Sequence, residues 1–318
     1  MRISGALVLA IVLAAQDPRF GVQSRLVVVP VTVTDSAGRL VDSLDASDFL
    51  LLDDGRPRRV TVDMMDTGVA PVALSIAVQA AGISAPALDK IRKIHPMIQP
   101  LLTGERGCAS VVSFSSEVQW LADCTNDPET LARAFGNLRP GAAKQARMLD
   151  AVHEAIGRLK GQPHSRRILV LMSESRDRGS DAPLDSVLLE AQAAGVTVYA
   201  ITYSAFWTAF TSKPSGAAPA PAGAAVDIIG GLGEFARLGS PNTAQLLAAA
   251  TGGATLPFTR QRGLEVAIER LSTELHTQYV LSFTPDGASP GHHRLECRIT
   301  RPGAYKVRAR PGYWVAAP

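Results

Sequence analysis

Apolar and polar residues follow one another in three rhythms along this chain, and the changes of rhythm divide it. From Ser24 to Thr34 they alternate and are rich in Val, the period of a strand with one buried face. Asp35-Ser-Ala-Gly38 turns the chain, and Leu40 onward resumes toward Leu44. Asp45-Ala-Ser-Asp48 reads as a capped helical turn before a strand at Phe49 to Leu52. Asp54-Gly55 is a hairpin signal ahead of one further strand, Arg58 to Met64. This head predicts strands and no helix of any length.

At Pro71 the rhythm changes. Val72 to Val78 is an unbroken apolar run, as in a parallel strand buried on both faces. It breaks into small residues and Gly82, then Pro86, which suits the first turn of a helix. A helix over Pro86 to Leu102 puts Leu88, Ile91, Ile94, Ile98 and Leu101 near one face, while Pro96 and Pro100 must bend or shorten it. Two strands about a turn at Ser115-Ser-Glu117 follow, then helices over Pro128 to Leu138 and Met148 to Leu159. A strand at Ile168 to Met172, a helix from Pro183 closed by Gly195 and a strand at Val196 to Tyr203 complete the alternation. Strands alternating with helices predict an α/β fold with a mainly parallel sheet and helices on both faces. In such sheets sites lie at the C-terminal ends of the strands.

The third rhythm is an interruption and a return. Ser212 to Ala225 is Pro- and Ala-rich and reads as a loop, and Asp227 to Leu238 as a short surface helix. A helix at Asn242 to Thr251, a strand at Ala254 to Phe258 and a helix at Gly263 to Thr277 follow. The tail is β again, at Gln278 to Thr284, His293 to Thr300 and Tyr305 to Arg308. The division expected is 24–68 for the β head, 70–277 for the α/β unit with an insertion at 206–240, and 278–318 for a β tail that pairs with the head into one small sheet domain.

Composition adds limits. Apolar residues at 46% and charged ones at 19% describe a globular chain, and a net charge of +3 over 318 residues gives no nucleic-acid footprint. Residues 1–15 have one basic residue, an apolar core and small residues at the end, the grammar of a signal peptide cleaved after Ala14 or Ala15, with an uncleaved anchor as the alternative. No later segment is apolar enough to span a membrane, so a secreted or periplasmic/envelope location is expected. Of the three cysteines, Cys108 and Cys124 sit opposite each other if Ser116 centres the hairpin, which leaves either a disulfide or two buried thiols; Cys297 is left over. Nucleophile-elbow, P-loop and HExxH motifs are absent, so no enzyme is expected. His153 reads as surface or satisfied core, and His292-His293 as an exposed turn with a weak metal signal.

The middle of the chain resembles a von Willebrand factor A (VWA) domain, Rossmann-like in layout. The whole is similar to the secreted acidobacterial VWFA-related proteins at Val31-Thr-Val-Thr-Asp-Ser-Ala-Gly38, Asp48-Phe-Leu-Leu-Leu-Asp-Asp-Gly55, Leu275-His-Thr-Gln-Tyr-Val-Leu-Ser-Phe-Thr-Pro285 and Val307-Arg-Ala-Arg-Pro-Gly-Tyr-Trp314. The resemblance implies a Mg²⁺ adhesion site built from an Asp-x-Ser-x-Ser loop, a Thr and a third-loop Asp. Here Gln79, Ala81 and Ile83 stand at the first three positions, Ala146 at the Thr position and Glu174, within Ser173-Glu-Ser175, at the last. Only Glu174 keeps a carboxylate, too little charge for tight binding of a hard cation, so no cofactor is expected. The reading that follows is a metal-independent protein-interaction module. Its contacts would come from Gln79, Ala81, Gly82, Ile83, Ser84, Arg147, Ser173, Glu174, Arg176, Asp177 and Arg178, with Asp177 and Asp181 otherwise solvated loop acids. The alternatives are a structural envelope protein with a relic core, and weak Mg²⁺-dependent adhesion through Glu174 and Asp177.

Overall fold

The computed structural model describes residues 26–64, 71–81, 84–163, 166–203, 242–285 and 289–315. The signal peptide expected at 1–15, the insertion expected at 206–240, the helix expected at 227–238, Gly82 and Ile83 lie outside them.

A six-stranded sheet is built on β5 (Val72–Gln79), every residue of which is buried. It runs parallel to β6 (Cys108–Phe114) on one side and to β8 (Arg166–Ser173) on the other. Beyond β8 lie β9 (Val196–Thr202) and β10 (Thr255–Pro257), both parallel; beyond β6 lies β7 (Val118–Thr125), antiparallel, at the edge. Successive side chains of a strand point to opposite faces. Thus Leu74, Ile76 and Val78 join one core with Ile91, Phe135 and Ile268, while Ala73 and Ala77 join the other with Val152, Val187 and Leu247. The small residues on that second face admit α4 (Met148–Lys160) directly against β5.

The helices are α1 (Ala85–Ile91), α2 (His95–Ile98), α3 (Pro128–Gly136), α4, α5 (Leu184–Ala193), α6 (Thr243–Thr251) and α7 (Gln261–Thr277). The single helix expected over 86–102 is four pieces: α1, a 3-10 turn at Arg92–Ile94, α2 and a π turn at Gln99–Thr103. Pro96 and Pro100 lack the N–H that would continue the ladder, so its hydrogen bonding shifts, yet Leu88, Ile91, Ile94 and Ile98 all remain buried.

Head and tail make two sheets rather than one. The first has the order β13-β1-β11-β4, from β1 (Val27–Thr34), β4 (Thr61–Met64), β11 (Tyr279–Phe283) and β13 (Lys306–Ala309). The second has the order β14-β12-β2-β3, from β2 (Phe49–Asp53), β3 (Arg56–Arg58), β12 (Gly291–Ile299) and β14 (Gly312–Val315). Val29, Val31, Leu51, Tyr279, Leu281 and Leu295 form the shared core. The strand expected over 58–64 is thus two, one in each sheet, and β14 is additional. At the β2–β3 turn Asp54 (φ 49°) and Gly55 (φ 79°) both take the left-handed conformation a two-residue hairpin demands.

This sandwich docks at the N-terminal edge of the central sheet. Arg166, first in β8, donates to the Leu275 carbonyl at 3.0 Å in the last turn of α7, the helix that leads into β11. Buried Glu274 accepts from the Tyr199 hydroxyl at 2.7 Å and the Thr32 hydroxyl at 3.3 Å, and pairs with Arg308. Buried Arg310 donates to the Gln192 carbonyl at 2.5 Å. Gly252 (φ 82°) ends α6 hard against this seam: a Cβ there would meet the Arg310 nitrogen at 2.7 Å.

Cys108 and Cys124 form a disulfide with Cα atoms 5.2 Å apart. They are not directly opposed. Register shifts between Ala109 and Val112 bring Thr125 opposite Ala109, so the bridge runs diagonally and staples the edge strand to β6. Burial pushes the free Cys297 thiol up to about 12, which leaves it inert.

Candidate functional site

The C-terminal ends of β5, β6, β8 and β9 bring Gln79, Phe114, Ser173 and Thr202 to one edge, and the loops that leave them are tied to one another by backbone. Ala80 N–H donates to the Phe114 carbonyl at 2.7 Å, and Gly141 N–H to the Ala80 carbonyl at 2.7 Å. Ala146 and Arg178 exchange two N–H···O bonds at 3.0 and 2.9 Å, which zips the second loop to the third. Arg147 N–H donates to the Ser115 carbonyl at 2.9 Å.

The polar side chains follow the same pattern. Gln79 is 1% exposed, and its Oε1 accepts the Glu174 N–H at 2.9 Å. The Tyr203 hydroxyl reaches the Gln79 carbonyl at 3.4 Å. Burial, with the Glu174 charge adding to it, raises the Tyr203 phenol above its ordinary value, so it stays a donor. Asp177 is not a solvated loop acid. Its Oδ1 accepts from the Leu149 N–H at 3.0 Å and the Ser180 hydroxyl at 2.6 Å, which places a carboxylate on the N-terminal turn of α4. That end of the helix has unpaired N–H groups and a partial positive charge, so the chain supplies its own anion. Asp150, on the same turn, accepts the Ala182 N–H at 2.8 Å and pairs with Arg147 at 2.6 Å; Arg147 also pairs with Asp181. Arg178 reaches Glu174 at 3.5 Å.

The structure therefore sorts the expected contact residues by depth. Gln79, Ala81, Ser84 and Ser173 are buried and form a floor rather than a contact surface. Arg147 and Asp177 are half-buried and held by internal partners, whereas Arg176 and Arg178 are exposed on the rim. Beside the floor lies a polar cleft of about 450 Å³, lined by Ala80, Ser113, Ser115, Glu117, Arg139 and Gly141. Sequence reasoning missed Tyr203 and Asp150. Asp150 alone carried a local signal, an acid in the first turn of a helix.

A hard divalent cation asks for several oxygens, carboxylates among them, converging on one point. Ala81 and Ala146 bring no side-chain oxygen, Gln79 Oε1 is aimed at an amide, and the Asp177 carboxylate is turned to α4. Among the described residues, neither Glu174 nor Asp177 belongs to any acid, His or Cys group spaced for a metal. The donor set does not fit the ion that the resemblance implies.

A parallel sheet with this strand order, one antiparallel edge strand and helices on both faces is a von Willebrand factor A-type fold, here with a β-sandwich added from the chain's two ends. No family model and no curated protein matches the sequence. Among solved structures it is similar to a von Willebrand factor type A protein from Catenulispora acidiphila, at 10% identity over 93% of this chain and 76% of that one, TM-score 0.48. It is also similar to the vWF domain of the type V pili tip protein Mfa5 from Porphyromonas gingivalis, at 12% identity over 64% and 94%, TM-score 0.42. A third is BatB from Bacteroides thetaiotaomicron, at 11% identity over 64% and 97%, TM-score 0.44.

Proposed function

We propose that this chain is an exported, non-catalytic protein-interaction module that grips its partner through the rim above the central sheet, without a cation. The observation that carries this reading is Asp177: a carboxylate beside the expected ion position is committed to the first turn of α4, and Gln79 is committed to the Glu174 amide. What is left to meet a partner is shape, loop amides and the guanidinium groups of Arg176 and Arg178, suited to an acidic surface. Export agrees with the Cys108–Cys124 disulfide, a bond that persists in oxidising compartments. Among the described residues no helix is long and apolar enough to cross a membrane.

The test is capture from the exporting cell's envelope, by wild type and by Arg176→Glu/Arg178→Glu, each with Mg²⁺ and with chelator. Equal capture by wild type in both conditions, and its loss in the variant while that variant still unfolds cooperatively, is the expected result. Capture that needs Mg²⁺ would overturn the cation-free reading. Capture that survives the charge reversal would move the contact surface to the sandwich.

A further inference from the structure

A different part of the molecule has the convergence that the rim lacks. In the sandwich, Asp53 ends β2, Asp54 begins the hairpin and His293 lies on β12 opposite Tyr313. One donor atom from each of Asp53, Asp54 and His293 lies within 4.8 Å of the other two, and among the described residues this is the one group so arranged. His293 is not the exposed turn residue its sequence position suggests: it is 6% exposed and stacks on the Tyr313 ring, 5.1 Å between centroids.

Hydrogen bonding around the ring decides which atoms are available. His293 Nε2 faces the Ser289 carbonyl at 2.7 Å, and a carbonyl only accepts, so Nε2 carries the proton. Nδ1 therefore aims at the carboxylates, 2.7 Å from Asp54 Oδ2 and 3.8 Å from Asp53 Oδ1. The outer oxygens are already taken: Asp54 Oδ1 accepts the Arg294 N–H at 2.8 Å, and Asp53 Oδ2 accepts from Arg58 at 2.9 Å and the Tyr313 hydroxyl at 3.2 Å. Asp53 is 1% exposed, yet its Oδ1 has no hydrogen-bond partner among the described residues. A buried carboxylate oxygen left bare is costly.

A positive centre between these atoms removes the conflict, and its size matters. A proton on Nδ1 reaches Asp54 but not Asp53, because 3.8 Å is beyond a hydrogen bond. A metal ion, with bonds of about 2 Å, is the larger positive centre for which three donors within 4.8 Å of one another are spaced. We propose that Asp53, Asp54 and His293 bind a first-row divalent metal, Zn²⁺ by preference, which pins the head hairpin to the tail strand. One imidazole with two carboxylates suits Zn²⁺. The Ser289 carbonyl is the outer partner that fixes a metal-binding histidine's tautomer. The Asp54 side chain, 50% exposed, leaves a path for the ion and for a water as fourth ligand.

The discriminating variant is Asp54→Asn. Asn takes the left-handed turn conformation readily and keeps an oxygen for the Arg294 amide, so the fold is expected to survive. The metal-stripped full chain is titrated with ZnCl₂ by calorimetry and with Co²⁺ by visible absorption, and melted in each state. Wild type should bind one Zn²⁺, show a Co²⁺ band and melt higher with metal. Asp54→Asn should match the stripped wild type in melting and bind Zn²⁺ at least about tenfold more weakly, the low end of what losing even an outer partner costs. Equal Zn²⁺ affinity in the two proteins would mean adventitious binding and overturn the proposal. So would a His293 ring that nitrogen NMR finds protonated at both nitrogens in the presence of Zn²⁺. A chelator effect on melting would concern the sandwich alone, so partner capture at the rim is judged separately.

Discussion

The loops above the central sheet and the polar cluster in the sandwich hold similar residues and use them in opposite ways. Above the sheet, Asp150 and Asp177 face backbone N–H groups and Glu174 faces Arg178, so each carboxylate has a partner of its own and, among the described residues, none joins a group spaced for a metal. In the sandwich, Asp53 and Asp54 each give one oxygen to a fixed donor and turn the other toward His293. The difference teaches that acidic residues near a loop cluster do not make a cation site by their number. What counts is how many oxygens remain after helix termini and guanidinium groups have been served.

The largest effect that would sharpen this contrast is Asp53→Ala in metal-stripped protein. It leaves Arg58 and the Tyr313 hydroxyl without their shared acceptor, and losing one member of a largely buried pair costs about 3 kcal/mol. Urea unfolding should show that loss; a loss under about 0.5 kcal/mol would mean the cluster is solvated and the contrast false. Next comes Gln79→Asp, which puts a carboxylate where the resemblance expects one. The shorter side chain leaves the Glu174 N–H unmatched and buries a charge, for about 2–3 kcal/mol of destabilisation. Mg²⁺ should not restore the melting temperature, because Ala81 and Ala146 still bring no oxygen. Recovery in Mg²⁺ would show that one carboxylate completes the site.

How far the sequence discloses all this depends on the range of the forces involved. The run Val72 to Val78 and the spacing of Leu88, Ile91, Ile94 and Ile98 are local patterns, and every one of those residues is buried. The substitution of Gln79, Ala81 and Ala146 for oxygen donors is equally local. Pairings set by distant chain are not. Arg58 and Thr61 read as one strand, but the first is beside Leu51 and the second beside Ser282. His293 reads as an exposed turn because the partners that bury it, Tyr313 and Asp54, lie elsewhere in the sequence. The hairpin disulfide sits between these cases: its turn is legible, while the register shifts that make it diagonal arise from irregular pairing along β6 and β7.

Asp177 gives the smallest of the stability effects and the finest discrimination. Capping rules look for an acid just before a helix, yet Asp177 caps α4 from a loop that follows it in the chain, so no local pattern marks it. Asp177→Ala removes the acceptor for the Leu149 N–H and the Ser180 hydroxyl, and a lost cap costs about 1–2 kcal/mol. Asp177→Asn keeps an oxygen but drops the charge, so it should cost only the helix-dipole part, about 0.3–1 kcal/mol. If Asp177 instead served a cation, the order would depend on Mg²⁺, and both variants would look wild-type in its absence. Chemical denaturation of the three proteins in chelator therefore separates the two roles: a graded loss assigns the carboxylate to α4, and no loss returns it to the ion.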